Sequence, residues 1–421
     1  MAFDFWRSKG TPRTGHNLKT AHRNPGMNST HTRFTREGWH LLFILVFVLI
    51  GAVLRNVNLL ALLASLIAGM FIIQWRICRR SLLYLAISRK LPNTIYAGQS
   101  FDARILVENR SQLLPTWLIC IEERFERVEP KPSHEAAGTT VVVPWIPAGS
   151  TTTSGYQCKL QYRGRYRLGP LRISTSFPFG LMRGWFTQPY TDEVLVRPKR
   201  GQLLGRWKNL IQLERQGLAK TASRAGVNEG EFYGLRAWQH GDSQRWIHWR
   251  TTARLNELAV RQFEQQQKMT LAIVIDLWEP PNTKKPHTPD PNVEKIVSFV
   301  ATFLETMCRQ GNHQISVAVA GSQLRVATRI QNRSVLESAL DDLAIASPSP
   351  TPDLLGALEQ LFPIMADNRS LLVISNREAR MQELRPNIKG ESQRSILDKV
   401  QVRWINAAKG ELDPFFKMEE S

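Results

Sequence analysis

Two histidines and an aspartate stand close together in one short stretch of the chain. The stretch Gly230–Arg254 reads GEFYGLRAWQHGDSQRWIHWRTTAR and contains His240, Asp242 and His248. These residue types could bind a metal ion or exchange protons with a substrate. The spacing His-x-Asp-x5-His matches no standard zinc motif, and acid–base catalysis also needs a positioned nucleophile. A hydrolytic site here is therefore one hypothesis among three.

The same stretch also allows a structural and a docking interpretation. Three arginines could form a charge-assisted, bidentate ion pair with the Asp242 carboxylate: Arg236, Arg245 and Arg254. Trp246 and Trp249 could cover that pair, with an arginine stacked on an indole face. The structural interpretation expects this network to fasten the preceding connector to the domain that follows. The docking interpretation expects the stretch to bind a partner protein.

Beyond position 269, strand patterns alternate with helical patterns. MTLAIVIDLW predicts a buried strand, and Val293–Met307 carries apolar residues at helical spacing before Gly311. QISVAVAG, SLLVISN and QVRWINA predict further strands, and SVLESALDDLA and TPDLLGALEQLF predict helices. This alternation predicts a doubly wound, mostly parallel sheet. Ligands of such sheets bind beyond the carboxyl ends of strands, where this chain carries Asp276, Ser375, Asn376 and the loop Ser347–Asp353.

Between positions 92 and 200, short runs of alternating apolar and polar residues predict a β-domain. FDARILVEN, WLICIEERF and DEVLVRP are examples, and Asn, Gly, Pro and Ser separate the runs. Short strands at this spacing predict a β-sandwich-like fold. No nucleophile stands beside a base in this region, so a spacer or binding module is expected. Residues 201–228 form a basic connector, either a solvated linker or a segment that contacts anionic lipid.

An apolar segment near the N-terminus predicts a membrane anchor. Leu41–Leu54 and Leu59–Ile73 are apolar runs separated by the polar stretch Arg55–Asn58. Each run is shorter than the roughly 20 residues that cross a bilayer, but flanking residues can extend both spans. Trp39 and Trp75 suit the ends of an aromatic belt. A helical hairpin is therefore expected, with a single tilted span or a re-entrant loop as alternatives.

The distribution of charge favours a membrane protein over a nucleic-acid-binding protein. The formal net charge is +19, and most of it lies in the windows 1–40, 76–90 and 195–225. Two of these windows flank the apolar segment, whereas a nucleic-acid-binding protein should spread basic charge over a folded face. Lys and Arg on both outer flanks predict that both termini face the cytoplasm. We therefore expect a multi-pass protein of the inner (cytoplasmic) membrane and no nucleic-acid partner.

The stretch Gly230–Arg254 resembles the signature of the bacterial Domain of Unknown Function 58 family. The matching residues are Glu231, Phe232, Leu235, Arg236, Gly241, Asp242, Arg245, Ile247, Trp249, Ala253 and Arg254. Arg163–Trp185 resembles an upstream element of the same family, whose core is Pro178–Leu181. The resemblance covers about residues 40–410, including the paired apolar runs. Histidines are not a hallmark of the signature, and the resemblance supplies no known reaction.

The family's C-terminal part resembles von Willebrand factor A domains, which often bind a divalent cation. Their site combines an Asp-x-Ser-x-Ser motif with a Thr and an Asp from two further loops. This chain offers Asp276 and Thr351, but Trp278 and Pro280 replace the serines and Asn376 replaces the last Asp. Hard cations need several oxygen ligands. We therefore expect a weak, degenerate metal site at most and no cofactor.

Genes of the family commonly lie beside those of MoxR-type AAA+ ATPases, which suggests a partner. The expected function is a membrane-anchored, non-enzymatic interaction protein that works with such an ATPase in complex assembly or envelope maintenance. The alternative is a hydrolytic enzyme with its site around His240, Asp242 and His248. The expected order is a disordered basic N-terminus (1–38), two transmembrane helices (39–76), a β-sandwich-like domain (92–200), a basic connector (201–228) and an α/β domain (229–410).

Overall fold

The computed structural model divides the chain into two compact units, with the boundary after Val196. The residues that it describes are 30–130, 133–189, 191–207, 231–240, 242–264, 269–281, 289–311, 313–365, 370–378 and 400–419. Each unit has its own sheets and its own apolar core.

The strands of the first unit form an eight-stranded sheet and a three-stranded sheet. They are β1 (His31–Phe34), β2 (Leu85–Lys90), β3 (Ile95–Tyr96), β4 (Ser100–Asn109), β5 (Thr116–Glu129), β6 (Ser133–Ile146), β7 (Thr151–Lys159), β8 (Gly164–Leu168), β9 (Leu171–Thr175), β10 (Met182–Gln188) and β11 (Asp192–Arg197). The smaller sheet has the order β2-β4-β7. The larger sheet has the order β1-β10-β9-β5-β8-β11-β3, and β6 also pairs with β5.

Apolar side chains from both sheets share one core. Ile105 and Val107 come from the smaller sheet, and Ile121 and Ile173 come from the larger one. These positions alternate with less buried ones because successive side chains of a strand point to opposite faces. The alternating runs FDARILVEN and WLICIEERF lie in β4 and β5, so their prediction as strands is confirmed.

A buried charged cluster also joins the two sheets. Glu123 on β5 forms an ion pair with Arg89 on β2 and accepts a hydrogen bond from the Tyr156 hydroxyl on β7. Arg89 also donates to Asp192 at 2.7 Å. Burial raises the pKa of Glu123, and the Arg89 guanidinium only partly opposes that shift. Charge pairing therefore acts alongside apolar packing where the two sheets face each other.

Two long apolar helices precede most of these strands. Helix α1 spans Arg36–Arg55, helix α2 spans Asn58–Leu83, and a two-residue turn joins them. Thr35 begins α1 by accepting a hydrogen bond from the backbone N–H of Gly38 at 3.1 Å. Asn56 ends α1 with a φ of 43°, a left-handed conformation that asparagine tolerates. Both helices are long and apolar enough to cross a membrane, and few of their residues are buried.

The expected hairpin differs from the structure at its two outer ends. Helix α2 continues to Leu83, beyond the predicted end at residue 76. The predicted disorder over residues 1–38 is wrong for residues 30–38, because β1 pairs with β10 and α1 begins at Arg36. Residues 1–29 lie outside the described part of the chain. The error arose because β1 finds its partner about 150 positions away, which no local pattern can reveal.

Gln74 of α2 fixes the hairpin to the β-sheet. Its side-chain nitrogen donates to the carbonyls of Met182 at 2.8 Å and Ser176 at 3.1 Å. Its side-chain oxygen accepts a hydrogen bond from the Leu181 N–H at 3.2 Å. Gln74 is fully buried, so these three bonds replace contacts with water. We call residues 176–182, whose backbone groups form these three hydrogen bonds, the docking loop.

Helix α1 contacts the same docking loop. The Thr35 hydroxyl donates to the Gly180 carbonyl at 2.6 Å. Gly38 lies so close to Leu181 that an added Cβ atom would overlap the Leu181 carbonyl oxygen. Pro178–Leu181, the core of the upstream element, thus lies where both helices dock.

The second unit is built mainly on a five-stranded sheet. Its strands are β12 (Gly201–Leu203), β13 (Glu231–Ala237), β14 (Ala259–Glu264), β15 (Met269–Asp276), β16 (His313–Ala320), β17 (Arg325–Ile330), β18 (Ser370–Ser375), β19 (Gln401–Asn406) and β20 (Phe416–Met418). Its helices are α3 (Trp249–Leu255), α4 (Pro291–Gln310), α5 (Arg333–Ile345) and α6 (Leu354–Met365). The order in the main sheet is β17-β16-β15-β18-β19, and all neighbours except β16 and β17 run parallel.

Helices cover both faces of this sheet. Ile273 and Ile275 of β15 pack in one core with α4 and α5, whereas Ala272 and Val274 pack in the other core with α6. The chain passes from β15 to β16 on one side of β15 and later returns to β18 on the other side. The main sheet is therefore mostly parallel and doubly wound, as the alternating patterns predicted.

The expected connector begins inside the second unit. Strand β12 pairs with β20, and the buried Trp207 contacts Phe303 with 6.1 Å between ring centroids. Residues 208–230, which include the rest of the predicted connector, lie outside the described part of the chain. The solvated-linker interpretation of the basic connector over 201–228 is therefore wrong for residues 201–207, because residues 201–203 pair with a strand near the C-terminus and Trp207 is buried.

We predict that Gln74→Leu destabilises the first unit. Leucine would fill the space but leave the Leu181 N–H buried without its acceptor, at about 1–3 kcal/mol. It would also remove one donor from each of the Ser176 and Met182 carbonyls, which keep weaker or competing contacts with the Gly180 N–H and the Cys78 thiol. Thermal unfolding of the full chain in detergent measures the effect. Ser65→Ala is the matched control, because the exposed Ser65 hydroxyl donates only to the Leu62 carbonyl of its own helix. Equal melting temperatures for the two variants would contradict the role of Gln74.

Candidate functional site

The polar residues predicted at the ends of β15 and β18 do lie together. Asp276 is the register partner of Ser375, and the Ser375 hydroxyl donates to Asp276 Oδ2 at 2.8 Å. Both residues are fully buried. The strand order reverses between β15 and β18, and open α/β sheets bind ligands at such a reversal. We call Asp276, Ser375 and the residues bonded to them the switch-point cluster.

Arg377 completes this cluster. Its Nε donates to Asp276 Oδ2 at 2.7 Å, and its Nη2 donates to Asp276 Oδ1 at 3.2 Å. Its guanidinium carbon lies 6.0 Å from the centroid of the Trp278 ring. Each Asp276 oxygen thus faces a positively charged donor, in the bidentate geometry that arginine and carboxylate favour. A divalent cation at Asp276 would have to displace this guanidinium.

Two residues that replace expected metal ligands, Trp278 and Asn376, make structural contacts instead. Trp278 forms a parallel β-bridge with Ser349, and the Asn376 amide donates to the Trp278 carbonyl at 2.5 Å. Thr351 is exposed, and its N–H donates to the Ser349 hydroxyl at 3.2 Å. The described contacts of Asp276 therefore go to Ser375 and Arg377 rather than to Thr351. Across the described residues, no group of three His, Cys, Asp or Glu side chains could bind a metal ion.

The sequence pattern did not identify Arg377. Asp276, Ser375 and Asn376 were expected because they end strands, but Arg377 lies two residues beyond β18. The available signal was a basic residue directly after two polar residues at the end of a buried strand. Such a residue can turn back over the sheet end and pair with a carboxylate on the neighbouring strand.

The signature stretch folds into a small ribbon. Strands β13 and β14 pair antiparallel, with Ala237 opposite Ala259 at the closed end. A 3-10 helix at Gln244–Trp246 and helix α3 lie in the connection between the two strands. Ile247 is buried and forms a β-bridge with Val260. We call residues 231–264 the signature ribbon. Gly241 and the side chain of Glu231 lie outside the described part of the chain.

Among the three candidate arginines, Arg236 pairs with Asp242. Its Nη1 and Nη2 each donate to one Asp242 oxygen at 2.7 Å, and the Gln239 N–H donates to Oδ2 at 2.9 Å. The Arg236 hydrogen bonds, followed by that of Gln239, hold the pKa of Asp242 below its usual value. Arg245 and Arg254 are exposed. The ion pair thus fixes the turn at the end of β13.

The expected burial of this pair under tryptophan is wrong for Trp249. Its side chain is 65% exposed, and the Arg236 and Asp242 side chains are 36% and 19% exposed. Helix α3, which begins at Trp249, points most of its residues toward solvent. A partly exposed pair contributes about 1 kcal/mol rather than the several kcal/mol of a buried one. The pair therefore has a local role in the ribbon.

The residues of the hydrolytic hypothesis each have a separate partner. Asp242 binds Arg236, as above. Nδ1 of His248 lies 2.8 Å from the Thr251 hydroxyl and accepts a hydrogen bond from the Thr251 N–H at 3.3 Å, which caps α3. The exposed His240 packs edge-on against Trp238, with 6.1 Å between ring centroids. These contacts give all three residues structural roles, and the hydrolytic hypothesis remains untested.

Part of the second unit matches a known family model. Residues 234–386 match the model of the family described as protein of unknown function DUF58. The match includes Asp242, Asp276 and Arg377. The uncharacterized protein YeaD of Bacillus subtilis is 22% identical over 228 residues, which cover 53% of this chain and 53% of YeaD. The chain thus spans about half the length of this curated relative.

Two of the solved structures that resemble part of the chain each cover about a quarter of it. The CARDB domain of PF1109 from Pyrococcus furiosus covers 27% of this chain and 94% of its own, with 8% identity and a TM-score of 0.18. A beta-glucosidase from Listeria innocua covers 27% of this chain and 16% of its own, with 18% identity and a TM-score of 0.18.

We predict that Arg377→Ala strongly destabilises the second unit. The change leaves the buried Asp276 carboxylate without its charge partner, which costs roughly 3–5 kcal/mol. Arg333→Ala is the matched control, because Arg333 is 90% exposed and pairs with Glu337 within one helix. That control should cost at most about 1 kcal/mol. Chemical denaturation of both variants in the full chain measures the difference, and equal losses would contradict the prediction.

Thermal unfolding of the wild-type chain with and without Mg²⁺ tests the degenerate metal site. Millimolar Mg²⁺ should leave the wild-type melting temperature unchanged, because Arg377 already binds both Asp276 oxygens. A ligand present at a free concentration of 100 times its Kd would stabilise the protein by about 2.7 kcal/mol. A saturable increase in melting temperature that Asp276→Ala abolishes would show that a cation competes successfully with the guanidinium.

Proposed function

We propose that this protein is a membrane-anchored interaction protein whose hairpin crosses the inner membrane twice. The observation that carries this proposal is the hairpin itself, two apolar helices with exposed faces that are bonded to a β-domain through Gln74. Exposed arginines stand at its base: Arg36, Arg76, Arg79 and Arg80. Arg55 is the only basic residue at its tip. This asymmetry supports cytoplasmic termini.

The two folded regions are proposed to serve as binding modules. The shared core of the two sheets in the first unit supports a β-sandwich-like domain. The doubly wound sheet with a polar cluster at its switch point supports a von Willebrand factor A-like domain. In this proposal Arg377 supplies the positive charge that a bound cation supplies in other such domains. At the switch point Asp276, Ser375 and Arg377 bind one another, which favours binding over catalysis.

The proposed partner is a MoxR-type AAA+ ATPase, and the signature ribbon is the proposed contact surface. Large apolar residues of the ribbon are exposed: Leu235, Trp249, Leu255 and Leu258. Arg250 and Arg254 are exposed beside them on α3. Apolar residues rimmed by charge are typical of protein interaction sites, and tryptophan and arginine often dominate their binding energy. Anionic lipid is a further proposed partner of the basic residues at the base of the hairpin.

The alternative function is hydrolysis at His240, Asp242 and His248. Hydrolysis at this site would be detected as turnover of model ester or phosphate substrates by the full chain. The His240→Ala substitution would abolish that turnover. The separate partners of these three residues do not favour this alternative.

We predict that Trp249→Ala weakens capture of the ATPase by tenfold or more without lowering the melting temperature. The side chain is mostly exposed, so its loss removes little packing, whereas a central tryptophan of an interface contributes about 2 kcal/mol or more. Pull-down from membranes and thermal unfolding on one preparation measure both effects. Arg333→Ala, an exposed change outside the ribbon, is the control. Unchanged capture would remove the ribbon from the proposed interface.

We predict that reporter enzymes report a cytoplasmic location at both termini. A reporter active only in the periplasm should be silent when fused before Met1 or after Ser421, and active when inserted between Asn56 and Val57. A second reporter that is active only in the cytoplasm should give the opposite pattern. Periplasmic activity at the C-terminal fusion would contradict the proposed hairpin topology.

A further inference from the structure

The first unit exposes a group of large apolar side chains on one part of its β-domain. They are Leu113, Leu114, Trp117, Leu118, Trp145 and Phe179, each between 40% and 90% exposed. Trp117 and Trp145 are register partners on β5 and β6, with ring centroids 5.9 Å apart. Phe177 stacks on Trp117 at 5.7 Å. We call the six exposed residues the base patch, and such a group of exposed apolar residues marks an interaction site.

The base patch begins beside the hairpin. The Cys78 thiol of α2 donates to the Phe177 carbonyl at 3.3 Å, and Phe177 is stacked on Trp117. Phe179 directly precedes Gly180. The Gly180 carbonyl accepts a hydrogen bond from the Thr35 hydroxyl at the start of α1. The patch is therefore continuous with the point where both helices dock.

The loop that carries Leu113 and Leu114 is bonded close to the end of α2. The Asn109 side chain donates to the Leu114 carbonyl at 2.9 Å, and the Arg110 N–H donates to the Tyr84 carbonyl at 2.9 Å. Tyr84 directly follows α2. One side-chain bond and one backbone bond thus hold this loop at the end of the β-domain from which the hairpin emerges.

Helix length gives the level of the base patch relative to a bilayer. From the hairpin tip to Trp39 or Trp75 each helix rises about 24–26 Å, close to the roughly 30 Å of the hydrocarbon core. Cys78 lies one turn past Trp75, about 4.5 Å further along α2. A headgroup layer is several ångströms thick, so residues at the level of Cys78 would lie within it. Tryptophan side chains favour this layer, because they are apolar with one polar end.

We propose that the base patch is a second membrane contact, which inserts into the headgroup region of the leaflet at the hairpin base. This inference rests on the proposed crossing of the membrane by α1 and α2. The β-domain then lies against the bilayer instead of being held away from it by the helices. Exposed arginines at the same level, Arg33, Arg36, Arg76, Arg79 and Arg80, favour anionic headgroups.

Continuity and charge both favour lipid over a protein as the occupant. The patch adjoins helix faces that are themselves exposed and apolar, and a bilayer would cover both surfaces together. The exposed arginines lie at or beside the base ends of the two helices, where lipid phosphates would lie. A protein bound to the patch would have to share this boundary with the headgroups.

Depth measurements with spin labels on the full chain test this inference. The background carries Cys120→Ser and Cys308→Ser, because the other two cysteines, Cys78 and Cys158, are buried. Labels are placed at Leu113→Cys and Trp145→Cys in the patch, at Phe47→Cys in α1, and at Gln157→Cys as the distant control. Gln157 is opposite Asp102 on β4, seven residues or about 24 Å from the Asn109 end near the hairpin. Leu113 is 90% exposed, so its substitution leaves the fold intact even where Trp145→Cys does not.

Collision with oxygen and with a water-soluble nickel chelate is measured in vesicles with and without phosphatidylglycerol. We expect the labels at 113 and 145 to collide more often with oxygen than with the nickel chelate, at a ratio that corresponds to a shallow depth in the bilayer. The label at 47 should give the ratio of a deep position, and the label at 157 should give that of a position in water. A deep label at 47 with aqueous labels at 113 and 145 overturns this inference and leaves the proposed hairpin standing. An aqueous label at 47 overturns both. Labels at 113 and 145 shielded from both reagents would indicate a covering protein and also overturn the lipid contact.

Discussion

Buried polar groups must keep their hydrogen bonds, and one such side chain organises the first unit. Gln74 directly follows the apolar run of α2 and is fully buried, where an unpaired amide would cost several kcal/mol. Its three bonds to the docking loop permit little variation in where α2 meets the sheet. The close approach of Gly38 to Leu181 then restricts α1 as well. The orientation of the hairpin, and with it the level of the base patch, follows from these contacts.

The same constraint explains the switch-point cluster. A carboxylate at the end of β15 is fully buried and needs a positive charge, which an ion or the chain itself can supply. Here Arg377 supplies it, and the Arg377 N–H also donates to the Ser375 hydroxyl at 3.1 Å. The chain that leaves β18 is thus bound back to β15. The position that binds ligands in many α/β sheets is used in this protein for an internal contact.

Local patterns predicted the elements well, because helical and strand periods depend on neighbouring residues. The two apolar helices, the alternating strands of the β-domain and the doubly wound sheet were all expected. Long-range pairing was not predictable, since β1 and β12 depend on partners far along the chain. Nor could sequence select Arg236 over Arg245 and Arg254, or identify Arg377, because those choices depend on side-chain geometry. Exposure of Trp249 was missed for the same reason.

The residues of the signature ribbon that could perform chemistry are poorly placed to do so. The lowered pKa of Asp242 makes it a weak base and keeps it ionised, so it is also unsuited to donate a proton near neutral pH. His248 uses Nδ1 to cap α3, which leaves only its other ring nitrogen available. These contacts stabilise a compact turn and a short helix whose apolar and basic side chains face outward. The ribbon uses its reactive groups for its own rigidity and exposes Trp249 and Leu255. These features support the proposal that it recognises a surface instead of transforming a substrate.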